Sequence, residues 1–422
     1  MGLSWLRPSF DKLLTIVRHS RYRVLWAGLT AVLAAAVTVT SFGPGNPFSI
    51  TNAPQPSQRT HPPLHASGGK IVDARGREVV LTGVNWFGLE TGTFAPHGLW
   101  TRNWTQMLDQ MAGAGFNTLR LPYSNELFQP ASKPNGIDFG RNPDLVGLTG
   151  PQIMDKIVDG ATARGMMVLL DRHRPDSQAQ SNLWYTDHVS EKTWIDDWVA
   201  LAKRYHDNPL VIGADLHNEP HGQATWGDGN QSTDWRAAAE RAGNAVLAAN
   251  PDWLIFVEGV ESYQGNGYWW GGNLQGAKAH PVRLTDQSKL VYSAHDYSPK
   301  VWQQSWFSHP DFPANLPALW DSMWGHLAKE NLTPVLLGEF GGRSVGGDAE
   351  GIWQRSLMRY LKDHKISYTY WCWNPDSGDT GGVLADDWAT IHEDKLALLR
   401  THQQPMAEPP AGGGSDQARS AW

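Results

Sequence analysis

Eight short apolar runs of strand length recur along this chain with helical segments between most of them, and that alternation restricts the fold more than any other feature. The runs are Val79–Trp86, Phe116–Leu121, Met166–Asp171, Leu210–His217, Trp253–Glu258, Lys289–His295, Pro334–Glu339 and Ile366–Trp373. Three intervening helices open with capping residues: Thr101 before WTQMLDQMAGAG, Thr149 before GPQIMDKIVDGATARG and Ser190 before EKTWIDDWVALAKRY. Further helices fit Thr233–Ala249, Ala314–Glu330, Asp348–Asp363 and Glu393–Arg400. Strands joined through helices must run parallel, and eight such units close most naturally into an α/β barrel of the (β/α)8 kind. An open doubly wound sheet would carry a Gly-rich phosphate turn after an early strand. The first strand here ends in GVNWFG instead. Gly76 reads as the turn of a small hairpin between Ile71–Val72 and Val79–Val84 that leads into that strand.

The segments outside the barrel, assigned to residues 70–402, differ in composition. Residues 1–23 carry Arg7, Lys12, Arg18, Arg21 and Arg23 against Asp11 alone. Val24–Phe42 then holds no charge over 19 residues, just enough to span a bilayer, with the basic flank on the cytoplasmic side. A cleaved signal would have a shorter basic region and a clear small-x-small site, so an uncleaved transmembrane anchor is the favoured reading and a signal segment the alternative. Residues 43–69 read as a Pro/Ser/Thr-rich linker, and residues 403–422 as a disordered tail. The catalytic part is then expected outside the cytoplasm, membrane-anchored or secreted, and monomeric.

A net charge of −7 argues against a nucleic-acid surface. One cysteine, Cys372, forbids an intramolecular disulfide. The 22 tryptophans exceed what a core of this size needs. Indoles stack on apolar sugar faces, so the excess points to a carbohydrate cleft, although most of them must still be packing. Trp86, Trp270 and Trp371, at strand ends or in a loop, are assigned to the cleft. Trp104, Trp194, Trp198, Trp235 and Trp353 are assigned to helix packing.

Barrel enzymes carry their working groups at the C-terminal ends of strands. Here those ends are Trp86, Arg120, His173, Asn218–Glu219, Glu258, His295 with Tyr297, Glu339 and Trp371. Glu219 follows the fourth strand and Glu339 the seventh, so the two face each other across the barrel mouth. Carboxyl groups about 5–5.5 Å apart there are the apparatus of a retaining glycosidase. Arg120 beside Glu339 would keep it ionised, with Tyr297 donating a hydrogen bond. Glu219 has no cation beside it in sequence and is the candidate proton donor, and Asn218 can reach a sugar 2-hydroxyl. The plainer reading makes Glu339 only a structural partner of Arg120. Glu258 is read as a decoy, and Asp171, between Arg172 and Arg174, as a structural anion. A metal would have to draw on Asp171, His173, His217, His221 and His295. The clustered His spacing of metal-dependent barrels is lacking, so neither metal nor cofactor is expected.

The motifs GVNWFG (83–88), NTLRLPYS (117–124), DRHRP (171–175), LHNEP (216–220), SAHDY (293–297), LGEFG (337–341) and WNPDSGDTGG (373–382) together resemble glycoside hydrolase family 5, and within it bacterial endo-β-1,4-glucanases. The resemblance runs from about Lys70 to Arg400. It implies a (β/α)8 fold and a retaining double displacement on a polysaccharide substrate. Glu219 would be the acid/base and Glu339 the nucleophile, with Arg120, His173, Asn218, His295, Tyr297 and Trp371 around them. The same chemistry on mannan, xyloglucan or mixed-linkage glucan is one alternative. A silent glucan-binding protein of the cell envelope is another.

Overall fold

The computed structural model describes residues 59–409. The basic segment 1–23, the span Val24–Phe42, residues 43–58 of the linker and residues 410–422 of the tail lie outside the described residues. No helix among the described residues is long and apolar enough to cross a membrane.

Eight parallel strands form a closed ring. They are β1 (Thr82–Asn85), β2 (Thr118–Ser124), β3 (Met167–Arg174), β4 (Val211–Asp215), β5 (Leu254–Glu258), β6 (Leu290–His295), β7 (Val335–Glu339) and β8 (Ser367–Tyr370). Each pairs with its neighbours in chain order, and β8 closes onto β1. All eight expected strands are present, with ends shifted by a few residues. The helices are α1 (Trp104–Gly113), α2 (Gly150–Ala163), α3 (Glu191–Arg204), α4 (Trp235–Ala249), α5 (Leu316–Trp320), α6 (His326–Lys329), α7 (Ala349–His364) and α8 (Glu393–Arg400). A π-helical turn, Asp321–Gly325, joins α5 to α6. Thr149 caps α2 through a full capping box with Gln152, and Ser190 accepts from the Thr193 amide. The cap of α1 is Asn103, not Thr101: its side chain accepts from the amides of Thr105 and Gln106. Between β5 and β6 a long loop carrying Trp269 and Trp270 replaces the helix.

Period-2 alternation divides each strand between two environments. Met167, Leu169, Leu254, Phe256, Val291 and Leu336 fill the lower barrel with Leu64, Ile71 and Val79 of the N-terminal hairpin. A larger cluster fills the space between strands and helices. Continuing up the inward face from Met167 and Leu169 gives Asp171 and His173. From Leu254 and Phe256 it gives Glu258, and from Val291 it gives His295. One regular pattern thus makes the lower barrel apolar and its mouth charged.

Glu339 breaks that pattern. By simple alternation it would share the outward face of Leu337. The pairing of β6 with β7 runs Ser293 to Leu336, Ala294 to Leu337, then His295 to Glu339, which leaves Gly338 as an extra residue. A bulge of this kind re-aims the next side chain. Glycine is needed there, because a Cβ at position 338 would lie 2.5 Å from Ser293 Oγ.

Most tryptophans among the described residues are buried. Trp194 and Trp198 of α3 both donate to the carbonyl of Leu216 at 2.8 and 3.0 Å. Trp235 of α4 donates to the carbonyl of Glu258 at 2.8 Å. These buried indoles fasten the backbone at the ends of β4 and β5. Both assigned boundaries of the barrel are too narrow. His65–Ser67, counted as linker, pairs with Lys70–Val72, and Ala407, counted as tail, is buried and bridges to Thr60. Polar composition hid the few apolar residues that close the bottom of the barrel.

Candidate active site

A cleft of about 810 Å³ opens over the C-terminal ends of the strands. Glu219 and Glu339 line it together with Phe87, His173, Tyr297 and Trp371. One carboxylate oxygen of each glutamate and a nitrogen of His295 lie within 4.8 Å of one another. The His295 Nδ1 sits between them, 3.0 Å from Glu219 Oε1 and 3.6 Å from Glu339 Oε2. Glu219 reaches this position from the loop after β4, with its backbone at φ 53° in the left-handed region that side chains other than glycine rarely adopt.

Arg120 lies beneath Glu339, fully buried. Its Nη1 donates to Glu339 Oε1 at 2.5 Å and to Asn85 Oδ1 at 3.0 Å. Its other nitrogens meet Asp215 at 2.9 Å, Asp171 at 3.2 Å and Glu258 at 3.3 Å. One guanidinium cannot compensate four buried carboxylates, so the group must hold protons. Burial pushes Asp215 up to about 7 and Glu258 up to about 8. For Glu339 burial works in the same sense, but His295, Arg120 and His173 outweigh it. With the Tyr297 hydroxyl donating to Oε2 at 2.6 Å, the carboxyl falls to about 2. Glu339 is therefore held ionised despite its burial, unlike Asp215 and Glu258.

The other expected residues divide. Asn218 accepts from Arg120 at 3.0 Å, and its buried Nδ2 has no acceptor among the described residues. His173 pairs with Asp171 at 2.6 Å and stacks on Trp371, ring centres 5.2 Å apart. Burial works to lower its pKa, and Asp171 more than reverses this. Trp371 also stacks on Phe87 at 5.5 Å, and Trp270, half exposed on the cleft rim, lies flat on His221 at 3.8 Å. Trp86 is a correction. It has no exposed surface, its indole donates to the carbonyl of His97, and it is no platform for a sugar. The neighbouring Phe87 takes the cleft position, because alternation at the end of β1 turns Trp86 into the shell between strands and helices. The partners of the buried Asp171 are Arg120 and His173 rather than the flanking arginines.

Phe87, Tyr268, Trp269 and the exposed Trp302 also line the cleft, and strand-end patterning does not mark them. A tryptophan in the polar loop SPKVWQQ after β6 is the available signal for Trp302. Asp171, His173 and Glu339 form one compact donor set and Glu219, His295 and Glu339 another. Arg120 donates directly to Glu339 in both, so a cation would have to share that carboxylate with a guanidinium.

A family model, Cellulase (glycosyl hydrolase family 5), matches residues 72–377. The chain belongs to this family. It is 55% identical to an endoglucanase of Paenibacillus polymyxa over 81% of this chain and 87% of that relative. It is 46% identical to the major extracellular endoglucanase of Xanthomonas campestris pv. campestris over 88% of this chain and 74% of that relative. The solved catalytic domain of the major endoglucanase from Xanthomonas campestris pv. campestris superposes with a TM-score of 0.77 at 47% identity, covering 81% of this chain and 99% of that domain. An endocellulase from Pyrococcus horikoshii, solved as a complex with cellotetraose, superposes with a TM-score of 0.77 at 43% identity, covering 82% of this chain and all of the other. The parallel eight-stranded barrel and its assignment to the glycoside hydrolases are thus common ground between this chain and its relatives.

Proposed function

We propose that this glycoside hydrolase cuts internal β-1,4-glucosidic bonds of cellulose or soluble β-glucan with retention of configuration, using Glu339 as nucleophile and Glu219 as acid/base. The observation that carries the reading is the meeting of these two carboxyls around His295, with Glu339 held ionised from below by Arg120 and from the side by Tyr297. Oxygens within 4.8 Å of each other support the short carboxyl spacing of a retaining enzyme, about 5–5.5 Å, over the wider one of an inverting enzyme. The endoglucanase relatives and the cellotetraose complexes of the Pyrococcus enzyme support the choice of glucan.

In the first step Glu339 Oε2 attacks the anomeric carbon. The glycosidic C–O bond breaks, and the leaving oxygen takes the proton of Glu219. Glu219, now ionised, removes a proton from water as that water attacks the anomeric carbon. The sugar–Glu339 bond then breaks, and two inversions give net retention. His173 and Trp371 line the cleft beside the two glutamates, and Asn218, whose Nδ2 has no acceptor among the described residues, would donate to the sugar 2-hydroxyl. Trp270 and Trp302 extend the cleft as stacking surfaces. Both carboxyls are present and correctly paired, which disfavours a silent binding protein.

The test is release of reducing ends from carboxymethylcellulose by wild type and Glu339→Ala. Loss of turnover with cellotetraose binding retained is expected. Unchanged hydrolysis by the variant would remove Glu339 from the mechanism, and faster hydrolysis of mannan in a β-glycan panel would overturn the choice of glucan. We also propose that Val24–Phe42 exports the enzyme and retains it in the membrane. The extracellular Xanthomonas relative supports export. Mass analysis of the mature N-terminus decides between retention and cleavage.

A further inference from the structure

Glu258 ends β5 with no exposed surface and does not line the cleft. Its carboxyl nevertheless touches the machinery on two sides. Oε2 accepts from the backbone amide of Glu219 at 2.8 Å. Oε1 lies 3.2 Å from His295 Nε2, and the other nitrogen of that ring faces Glu219 Oε1 at 3.0 Å. The loop bearing Trp270 closes over this contact. A Cβ at Gly271 would stand 2.1 Å from Glu258 Oε2 and 3.2 Å from Glu219 Cα.

We infer that Glu258 is a positioning residue for the acid/base, holding the Glu219 backbone in its left-handed turn and, through His295, presenting an N–H to the Glu219 carboxyl. The inference rests on the assignment of Glu219 as acid/base. The bond to Glu258 Oε2 holds the amide of a backbone at φ 53°, while His221 Nδ1 meets its carbonyl at 2.6 Å. The charge contact of Glu258 Oε1 with Nε2, 3.2 Å apart, biases the orientation of the imidazole. Whether Glu258 faces Nε2 as the anion beside an imidazolium or as the acid beside a neutral ring, a ring proton sits on Nδ1, where it faces Glu219 at 3.0 Å. Without Glu258, a neutral His295 is free to carry its proton on Nε2 and turn a lone pair to Glu219. The Nδ1–H is what the ionised Glu219 of the second step requires.

The charged surroundings fit this role. Arg120 of β2 and Asp215 of β4 face Glu258, and Glu339 of β7 faces His295. Burial pushes the Glu258 carboxyl up to about 8, with His295 pulling it back. Burial works to lower His295, and the charges of Glu258 and Glu339 outweigh it. Both directions favour a proton within this pair.

The experiment compares two substrates in Glu258→Gln. In the variant one amide oxygen cannot serve both the Glu219 amide and Arg120, so one contact becomes donor against donor. Cellopentaose needs its leaving oxygen protonated, whereas 2,4-dinitrophenyl β-cellobioside leaves as a stable phenolate. Expected is a loss of kcat/KM of about 10- to 100-fold on cellopentaose, from a displaced acid. On the aryl substrate the loss is under about 3-fold, because no acid is required. Cellotetraose affinity, measured calorimetrically, stays at the wild-type value. Equal losses on both substrates, or none on cellopentaose, overturn the inference. Glu219→Ala is run in parallel. If it shows no leaving-group dependence, the acid/base assignment itself is wrong. If it does and Glu258→Gln does not, only the role of Glu258 falls. Should Glu258→Gln fail to fold, Gly271→Ala displaces the same carboxyl from above and must give the same split between substrates.

Discussion

Tyr297→Phe deletes one hydroxyl, and the geometry specifies the consequences. That hydroxyl donates to Glu339 Oε2 at 2.6 Å, and the ring is otherwise packed against Trp269. The carboxyl it touches is held at about 2 against an ordinary 4.5 by His295, Arg120 and His173 as well as by this bond. A hydrogen bond to a charged group contributes about 1.5–3 kcal/mol, and about 1.4 kcal/mol corresponds to one pH unit. Losing it should raise the Glu339 pKa by about one to two units, to about 3–4. The acid limb of kcat/KM reports the free nucleophile, so it should move up by that amount when measured between about pH 2 and 7 on a soluble cello-oligosaccharide. Stability changes with a definite sign. A depressed carboxyl stabilises the fold above its unfolded pKa, and that contribution is lost as pH falls through the folded value. In the wild type the loss extends from about 4.5 down to about 2. In the variant it is complete by about 3–4, and the whole contribution is smaller. An acid limb that stays within about 0.3 unit of wild type in a folded variant would refute the claim that this hydroxyl helps hold the nucleophile ionised.

Arg120→Met should cost about 3–5 kcal/mol of stability in chemical denaturation, since it strips the counter-charge from Asp171, Asp215, Glu258 and Glu339. The deficit should shrink at acid pH as those carboxyls take up protons. Trp86→Ala should lower stability by about 3–5 kcal/mol as a core truncation. Trp270→Ala should leave stability within about 0.5 kcal/mol and raise KM for cello-oligosaccharides about 2- to 12-fold, the loss of one stacking surface. Gly338→Ala should lower kcat about 100-fold at unchanged substrate affinity, because the new Cβ meets Ser293 Oγ at 2.5 Å and disturbs the bulge that aims Glu339.

Much of this architecture is legible in the chain. Strand and helix periodicities are local, so the eight strands and the caps Thr149 and Ser190 can be read directly. Polar residues at the ends of apolar runs mark Arg120, Glu219, His295 and Glu339, because a parallel barrel gathers every strand end at one mouth. The corrections share a cause. Trp86 and Phe87 are adjacent, and which of them faces the cleft depends on how β1 leaves the ring. Glu258 reads as a decoy from its place beside the fourth strand, and that same proximity, invisible in the sequence, brings its carboxyl to the Glu219 amide. Residues 60–69 and 403–407 are polar enough to read as linker and tail, and only the lower barrel shows what Leu64 and Ala407 cover.

By itself, then, the sequence determined the order of elements, the parallel ring and the two glutamates at its mouth, since these arise from patterns a few residues long. The tertiary structure alone decided that Gly338 turns Glu339 inward, that one guanidinium serves four carboxyls, and that Glu258 accepts from the backbone amide of Glu219. Those outcomes depend on register between strands far apart in the chain and on burial, which sets how much charge a site can hold. Neither register nor burial is written in any short stretch of residues.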